Sequence, residues 1–190
     1  MSLIFATNNL HKLAEIRSAV PQLSIQGLSE SGVNEDIPET GTTLQENARQ
    51  KARHIYDKLG ENCFADDTGL EVSALNGAPG VYSARYAGPD GNFEDNNRKL
   101  LGALKESVNR KAQFRTVICL IQDGNEHYFE GICPGDILEE YAGSKGFGYD
   151  PIFKPYGFKE SFAEMSMETK NEISHRGLAV KKLISFLNTL

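Results

Sequence analysis

The chain opens with a short apolar block at residues 2–6. Leu10, Leu13, Ala14 and Ile16 follow at near-helical spacing. This change of period predicts a buried strand at 2–6 and a helix over 11–20, stopped by Pro21. A second strand is expected at 25–28, then a long polar loop over 29–41 containing Pro38 and Gly41. Thr43 with Glu46 three positions on is a capping-box pattern, opening a helix to about residue 59 that Gly60 closes. A strand at 62–65 is expected to end at Asp66-Asp67-Thr68-Gly69, because Asp and Gly favour turns. Residues 76–80 read as a loop and 95–104 as a helix. The β-branched and aromatic run at 114–121 is the strongest strand signal. Asp123-Gly124-Asn125 turns it into a returning strand at 126–133. Glycines punctuate 143–148, and Leu178, Leu183, Ile184 and Leu187 place a last helix over 174–188. Strands and helices interleave, so the class is α/β with an antiparallel portion. No repeat or linker divides residues 1–190, and a single domain is expected.

Composition narrows the field. A hydrophobic fraction of 39% and a charged fraction of 24% are those of an ordinary globular protein. The formal charge of −6 argues against a broad nucleic-acid or anionic-membrane surface, but not against a small phosphate ligand held by a few local cations. No segment has the length of a membrane span or the pattern of a secretory signal. Cys63, Cys119 and Cys133 are scattered and odd in number, with no Cys-x-x-Cys pair, so neither a zinc site nor a disulfide framework is expected. A cytoplasmic location follows as an expectation.

Five segments have the residue types for chemistry. Thr7-Asn8-Asn9-Leu10-His11-Lys12 lies between a strand and a helix, where backbone N–H groups and the helix dipole favour an anion; an ordinary helix cap is the competing reading. Asp66 and Asp67 are adjacent carboxylates suited to Mg²⁺, with one able to bind metal and the other to activate a water; an acidic turn competes. Glu39 is a loop carboxylate, and Lys51 lies about a turn and a half beyond Glu46. In Gly146-Phe147-Gly148-Tyr149-Asp150-Pro151 the glycines admit close backbone approach and the aromatics could stack on a base or fill the core. Lys170, with Ser174-His175-Arg176, places cations at a helix start, where the dipole disfavours them, and so points to an acceptor-rich partner. His11, His54 and His127 have no metal-ligand spacing. There is neither a Walker A sequence nor a Gly-x-Ser-x-Gly elbow.

Taken in order, these segments resemble the inosine-triphosphate pyrophosphatase family, the non-canonical purine NTP pyrophosphatases. The resemblance spans essentially the whole chain. It rests on Thr7 to Lys12, on Glu39-Thr40-Gly41-Thr42-Thr43 with Glu46-Asn47-Ala48, and on Ala65-Asp66-Asp67-Thr68-Gly69-Leu70. The segment from Pro79 to Gly88, Phe147-Gly148-Tyr149-Asp150-Pro151 and Ser174-His175-Arg176-Gly177 complete it. Thr68 stands where many bacterial members have serine and keeps the hydroxyl.

The resemblance implies an elongated mixed β-sheet flanked by helices, with two lobes around a central cleft, and a homodimer. It also implies Mg²⁺ as cofactor, Asp67 as general base and metal ligand, and Glu39 as second metal group. Thr7, Asn8, Asn9, Leu10, His11 and Lys12 would hold the triphosphate, and Thr68 and Lys170 would contact substrate. Phe147, Gly148, Tyr149, Asp150, His175 and Arg176 would hold the base. The implied reaction releases a nucleoside monophosphate and pyrophosphate from dITP, ITP or XTP. A Maf-type pyrophosphatase of different base specificity is one alternative; a non-catalytic nucleotide-binding module, which would not require Asp67, Glu39 and Lys12 together, is another.

Overall fold

A computed structural model describes residues 2–89 and 92–189. Its strands are β1 (Ser2–Phe5), β2 (Ser24–Gly27), β3 (Cys63–Val72), β4 (Pro79–Gly80), β5 (Lys111–Gln122), β6 (Asn125–Ile137) and β7 (Phe153–Pro155). They form one mixed sheet in the order β2-β1-β3-β5-β6-β7, with β4 paired to β3 off that path. β1 runs parallel to β2 and β3, while β5, β6 and β7 add antiparallel strands beyond β3. The helices are α1 (Leu10–Ala19), α2 (Leu44–Leu59), α3 (Phe93–Ala103), α4 (Met167–Ile173) and α5 (His175–Leu187).

Alternation along the strands divides the apolar residues between two faces. Phe5, Phe64, Ile118 and Leu120 pack with Leu13 and Ile16 of α1 and with Val180 and Leu183 of α5. Ile4, Ala65 and Cys119 face the other way, against Ala48, Ala52 and Ile55 of α2. A third cluster forms the second lobe: Leu70, Val72 and Phe114 with Leu100 of α3, Phe153 and Phe162. Each such side chain contributes roughly 1.5–3 kcal/mol when fully buried, so both ends of β3 are anchored. Asp66, Asp67 and Thr68 occupy the stretch between, where the two lobes meet.

The largest departure from the expected elements concerns β3. It does not end at Ala65 but runs to Val72, paired with β5 from Cys63↔Ile121 through Val72↔Ala112. Asp and Gly are poor strand formers in general, but here nearby cations neutralise the carboxylates and Gly69 serves close packing. A Cβ at Gly69 would lie 2.6 Å from the Gly80 carbonyl oxygen. Glycine within a strand marks such an approach as readily as it marks a turn. The hairpin turn at Asp123-Gly124 has φ of 50° and 83°, the left-handed pair that joins two long strands tightly. The short α4 was not expected; Ser166 caps it by accepting from Thr169 N.

The capping box on α2 is present on both sides, and Gly60 closes the helix at φ 69°. Ser174 ends α4 and caps α5, so Lys170, His175 and Arg176 share one rigid corner. That corner lies very close to the sheet. A Cβ at Gly131 of β6 would come within 1.9 Å of the His175 carbonyl oxygen, and one at Gly177 within 1.9 Å of the Asn171 carbonyl oxygen. Among the described residues no helix is long and apolar enough to cross a membrane.

Candidate active site

Neighbouring residues on a strand face opposite ways, so Asp66 and Asp67 enter different surroundings. Asp66 faces α1 and α5. Its Oδ1 accepts from Lys12 Nζ at 2.9 Å and its Oδ2 from Arg176 Nε at 3.1 Å. Arg176 also donates to Glu15 Oε2 and, at 3.2 Å, to the Thr68 hydroxyl. Lys170 bridges Glu15 and Asp150, at 2.6 Å to each, and Asp150 accepts from Phe147 N at 2.8 Å. The result is an alternating series of three cations and three carboxylates, nearly all of it buried. Burial by itself would raise the Asp66 carboxyl, but Lys12 and Arg176 outweigh it and hold Asp66 well below the usual carboxylate range. Burial, the largest influence, likewise favours the neutral form of Glu15, and Arg176 and Lys170 reverse it. The cations at the start of α5, which the helix dipole disfavours, thus find their acceptor-rich partner within the chain, in Glu15 and Asp66.

Asp67 faces α2. Its Oδ2 accepts from Asn47 Nδ2 at 3.0 Å, its Oδ1 accepts from Thr68 N at 3.0 Å, and Lys51 Nζ lies 3.8 Å from Oδ1. Lys51 also pairs directly with Glu39, which Arg85 Nη1 approaches to 3.8 Å from the second lobe. Here burial prevails. It raises the Asp67 carboxyl above its ordinary value, Glu39 adds to the rise, and Lys51 and Lys12 offset only part of it. A carboxylate with raised proton affinity, in a cavity wall, is suited to general-base work.

Among the described residues no group of three or more His, Cys, Asp or Glu side chains could share a metal ion. Glu39 and Asp67, drawn together around Lys51, are two oxygen donors. That set fits Mg²⁺, which takes one or two carboxylates and completes its shell with water and substrate phosphates.

A cavity of about 300 Å³ joins these groups to an aromatic end. His175 is buried there, stacked on Phe114 at 4.5 Å between centroids. Burial, with Arg176 and Lys170 nearby, drives its imidazole well below the usual histidine range. The neutral ring has one donor and one acceptor nitrogen, and Nδ1 has no partner within the protein. The Phe147 ring lies over Lys170 Nζ at 5.2 Å and Arg176 Cζ at 5.7 Å, and stacks on His11 at 5.1 Å.

The cavity brings together Thr7, Asn8, Asn9, Lys12, Glu39, Asp67, Thr68, Phe147, Gly148, Tyr149, Asp150, Lys170, His175 and Arg176. Leu10 does not line it; its side chain is exposed at the start of α1. His11 meets it through the rings of Phe147 and Phe93. The expected backbone anion cradle is partly occupied as well, since Asn9 Oδ1 accepts from both His11 N and Lys12 N. Sequence reasoning missed Glu15, Asn47 as the partner of Asp67, and Asn96, which lines the cavity. Glu15 left one trace, a carboxylate beside Leu13 and Ile16 on the inward face of α1; the amides left none.

A model of the Ham1 family matches residues 3–186. A protein of Porphyromonas gingivalis named dITP/XTP pyrophosphatase is 59% identical over 187 residues, covering 97% of this chain and 96% of that one. One of Christiangramia forsetii with the same name is 55% identical, covering 99% of this chain and 100% of the other. Among solved structures, the Ham1 protein of Staphylococcus aureus superposes with a TM-score of 0.89 at 40% identity, covering 100% of this chain and 99% of that one. The HAM1 protein of Coxiella burnetii gives 0.90 at 38%, with 100% of both chains covered.

Proposed function

The chain belongs to the Ham1 family, and from that premise we propose that it hydrolyses the non-canonical purine nucleotides dITP, ITP and XTP to the monophosphate and pyrophosphate. The observation that carries this reading is the cavity itself. It is lined by the charged groups Lys12, Glu39 and Asp67, as a metal-bound triphosphate requires, and by the rings of Phe147 and His175, as a base requires. Arg176, beneath the Phe147 ring, shares the Asp66 carboxylate with Lys12, so the two sets adjoin.

In this reading Asp67 takes a proton from the attacking water, which reaches the α-phosphorus. Asn47 and Thr68 N hold the carboxylate in place. Lys12 stabilises the departing pyrophosphate, with Asn8 and Asn9 beside it. Glu39 and Asp67 would hold Mg²⁺, which when bound neutralises charge on the phosphate oxygens. At the base end Arg176 is a donor only, with five N–H groups, and three bonds to Glu15, Asp66 and Thr68 leave some free. A 6-keto oxygen satisfies a donor there, whereas the 6-amino group of adenine leaves it unpaired, at a cost of about 1–3 kcal/mol. The homodimer and the cytoplasmic location belong to the same reading. Its support is the family resemblance and, for a reducing compartment, the three free buried cysteines; sedimentation tests the dimer.

A panel of nucleoside triphosphates, with phosphate and pyrophosphate measured separately, tests the reaction. ITP, dITP and XTP are expected to turn over far faster than ATP and to release intact pyrophosphate. Phosphate as the first product, or equal kcat/KM for ATP and ITP, overturns the reading. Chelation should abolish activity and Mg²⁺ restore it.

A further inference from the structure

The helix α3 borders the cavity through Phe93 and Asn96, and two consecutive residues near its start, Asn96 and Asn97, are asparagines, each only 2% exposed. Asparagine is a poor choice for a helix interior, because its amide competes with backbone bonding, and a buried amide is costly unless hydrogen-bonded. Neither side chain serves the helix; Asn92 is the cap. Asn96 spends both ends of its amide on one turn, accepting from Ala87 N at 2.6 Å and donating to the Ala84 carbonyl at 3.1 Å. That turn carries Arg85 towards Glu39. Asn97 donates at 2.9 Å to the carbonyl of Gly148, in the loop that carries Phe147.

Consecutive helical residues diverge by roughly 100° about the axis, so one helix can hold two loops at once. The loops are also joined by Tyr149 Oη, which donates to the Ser83 carbonyl at 2.8 Å. Ser83, however, is fixed separately, by Leu70 N and the Gly80 carbonyl. The 84–87 turn is held to α3 by both ends of the Asn96 amide, with Lys99 Nζ also donating to the Tyr86 carbonyl at 2.6 Å, and the Gly148 carbonyl is held by Asn97.

We propose that Asn96 and Asn97 are positioning residues with separable effects. Asn96 sets the turn that brings Arg85 to the Glu39 and Asp67 end of the cavity, and Asn97 sets the loop that frames the base. The kinetic part rests on the function proposed above; the structural part does not.

The test compares Asn96→Ala and Asn97→Leu with the unmutated chain. Leucine at 97 removes the unpartnered Oδ1 together with the donor to the Gly148 carbonyl, so the gain from the first partly offsets the loss of the second in folding stability. Hydrogen–deuterium exchange of the nucleotide-free proteins is expected to loosen 84–87 alone in the first variant and 147–150 alone in the second. In kinetics, Asn97→Leu should raise KM for ITP roughly three- to tenfold, the worth of a lost hydrogen bond. It should also narrow the preference over ATP, with kcat held within about twofold. Asn96→Ala should lower kcat and leave base preference intact. Unchanged exchange in either loop, or both loops loosening together in each variant, overturns the proposal. Absence of ITP hydrolysis by the unmutated chain would refute the proposed function instead, and the exchange data would still decide the positioning.

Discussion

Asp66 and Asp67 are joined by one peptide bond and differ in almost every physical respect. Asp66 looks toward α1 and α5, where the half-buried Lys12 and the buried Arg176 hold it ionised. Asp67 looks toward α2, where an amide and a more distant ammonium leave burial dominant and its proton affinity raised. The pleat alone separates them. The face with saturated ion pairs suits a structural anion, while the under-compensated face suits a proton acceptor. A pair of carboxylates in a sequence is therefore two questions, and strand parity decides which is which.

The largest effect expected from testing this contrast is on stability. Asp66→Asn leaves Lys12 and Arg176 short of a buried counter-charge, and breaking such a network costs about 3–5 kcal/mol. Urea unfolding should reveal that loss, whereas Asp67→Asn should unfold near the unmutated midpoint. Equal losses in the two variants would erase the distinction. Turnover should divide the opposite way: Asp67→Asn is expected to lose at least roughly a hundredfold in kcat, the worth of a general base, with its circular-dichroism spectrum unchanged.

Next in size is the response to pH. The folded pKa of Asp66 lies below its unfolded value, so its stabilisation is complete above the ordinary carboxylate range and is lost as pH falls through the lower, folded value. Asp67 has the opposite sign: its folded pKa is raised, and the contribution present at low pH is lost as pH rises through that raised value. In the metal-free protein the Asp67 carboxyl should therefore titrate above the ordinary carboxylate range, as followed by carboxyl NMR. Lys51→Met, which removes an influence that lowers the Asp67 pKa, should move that titration to higher pH. A titration that moves down or stays in place would mean that Lys51 does not act on Asp67. The smallest effect concerns the support for the Asp67 side. Thr43→Ala removes the cap of the helix bearing Asn47 and Lys51 and should cost about 1 kcal/mol, read as a lowered Tm, with the Asp66 side untouched.

Local patterns made much of this legible. The capping box of α2, its Gly60 stop and the Asp123-Gly124 hairpin were readable because each depends on a few contiguous residues. Most cavity-lining groups lay in the segments marked as chemical. What escaped reading depends on contacts remote in sequence. β3 looked broken at Asp66 because its neutralising cations arrive from residues 12 and 176, and Gly69 looked like a turn because its reason lies in β4. Glu15 meets Lys170 across 155 positions, and the amides of Asn96 and Asn97 report only on loops that the fold brings to them.

The clearance between β6 and α5 has a genetic consequence. At Gly131 the smallest possible side chain would collide with the carbonyl of His175, and the obstacle is main chain, which cannot rotate aside. A selection for inactive alleles should thus recover substitutions at codon 131, in a strand that supplies no wall to the cavity. Suppressors should map to the α4–α5 corner, at positions other than Lys170, His175 and Arg176, which line the cavity.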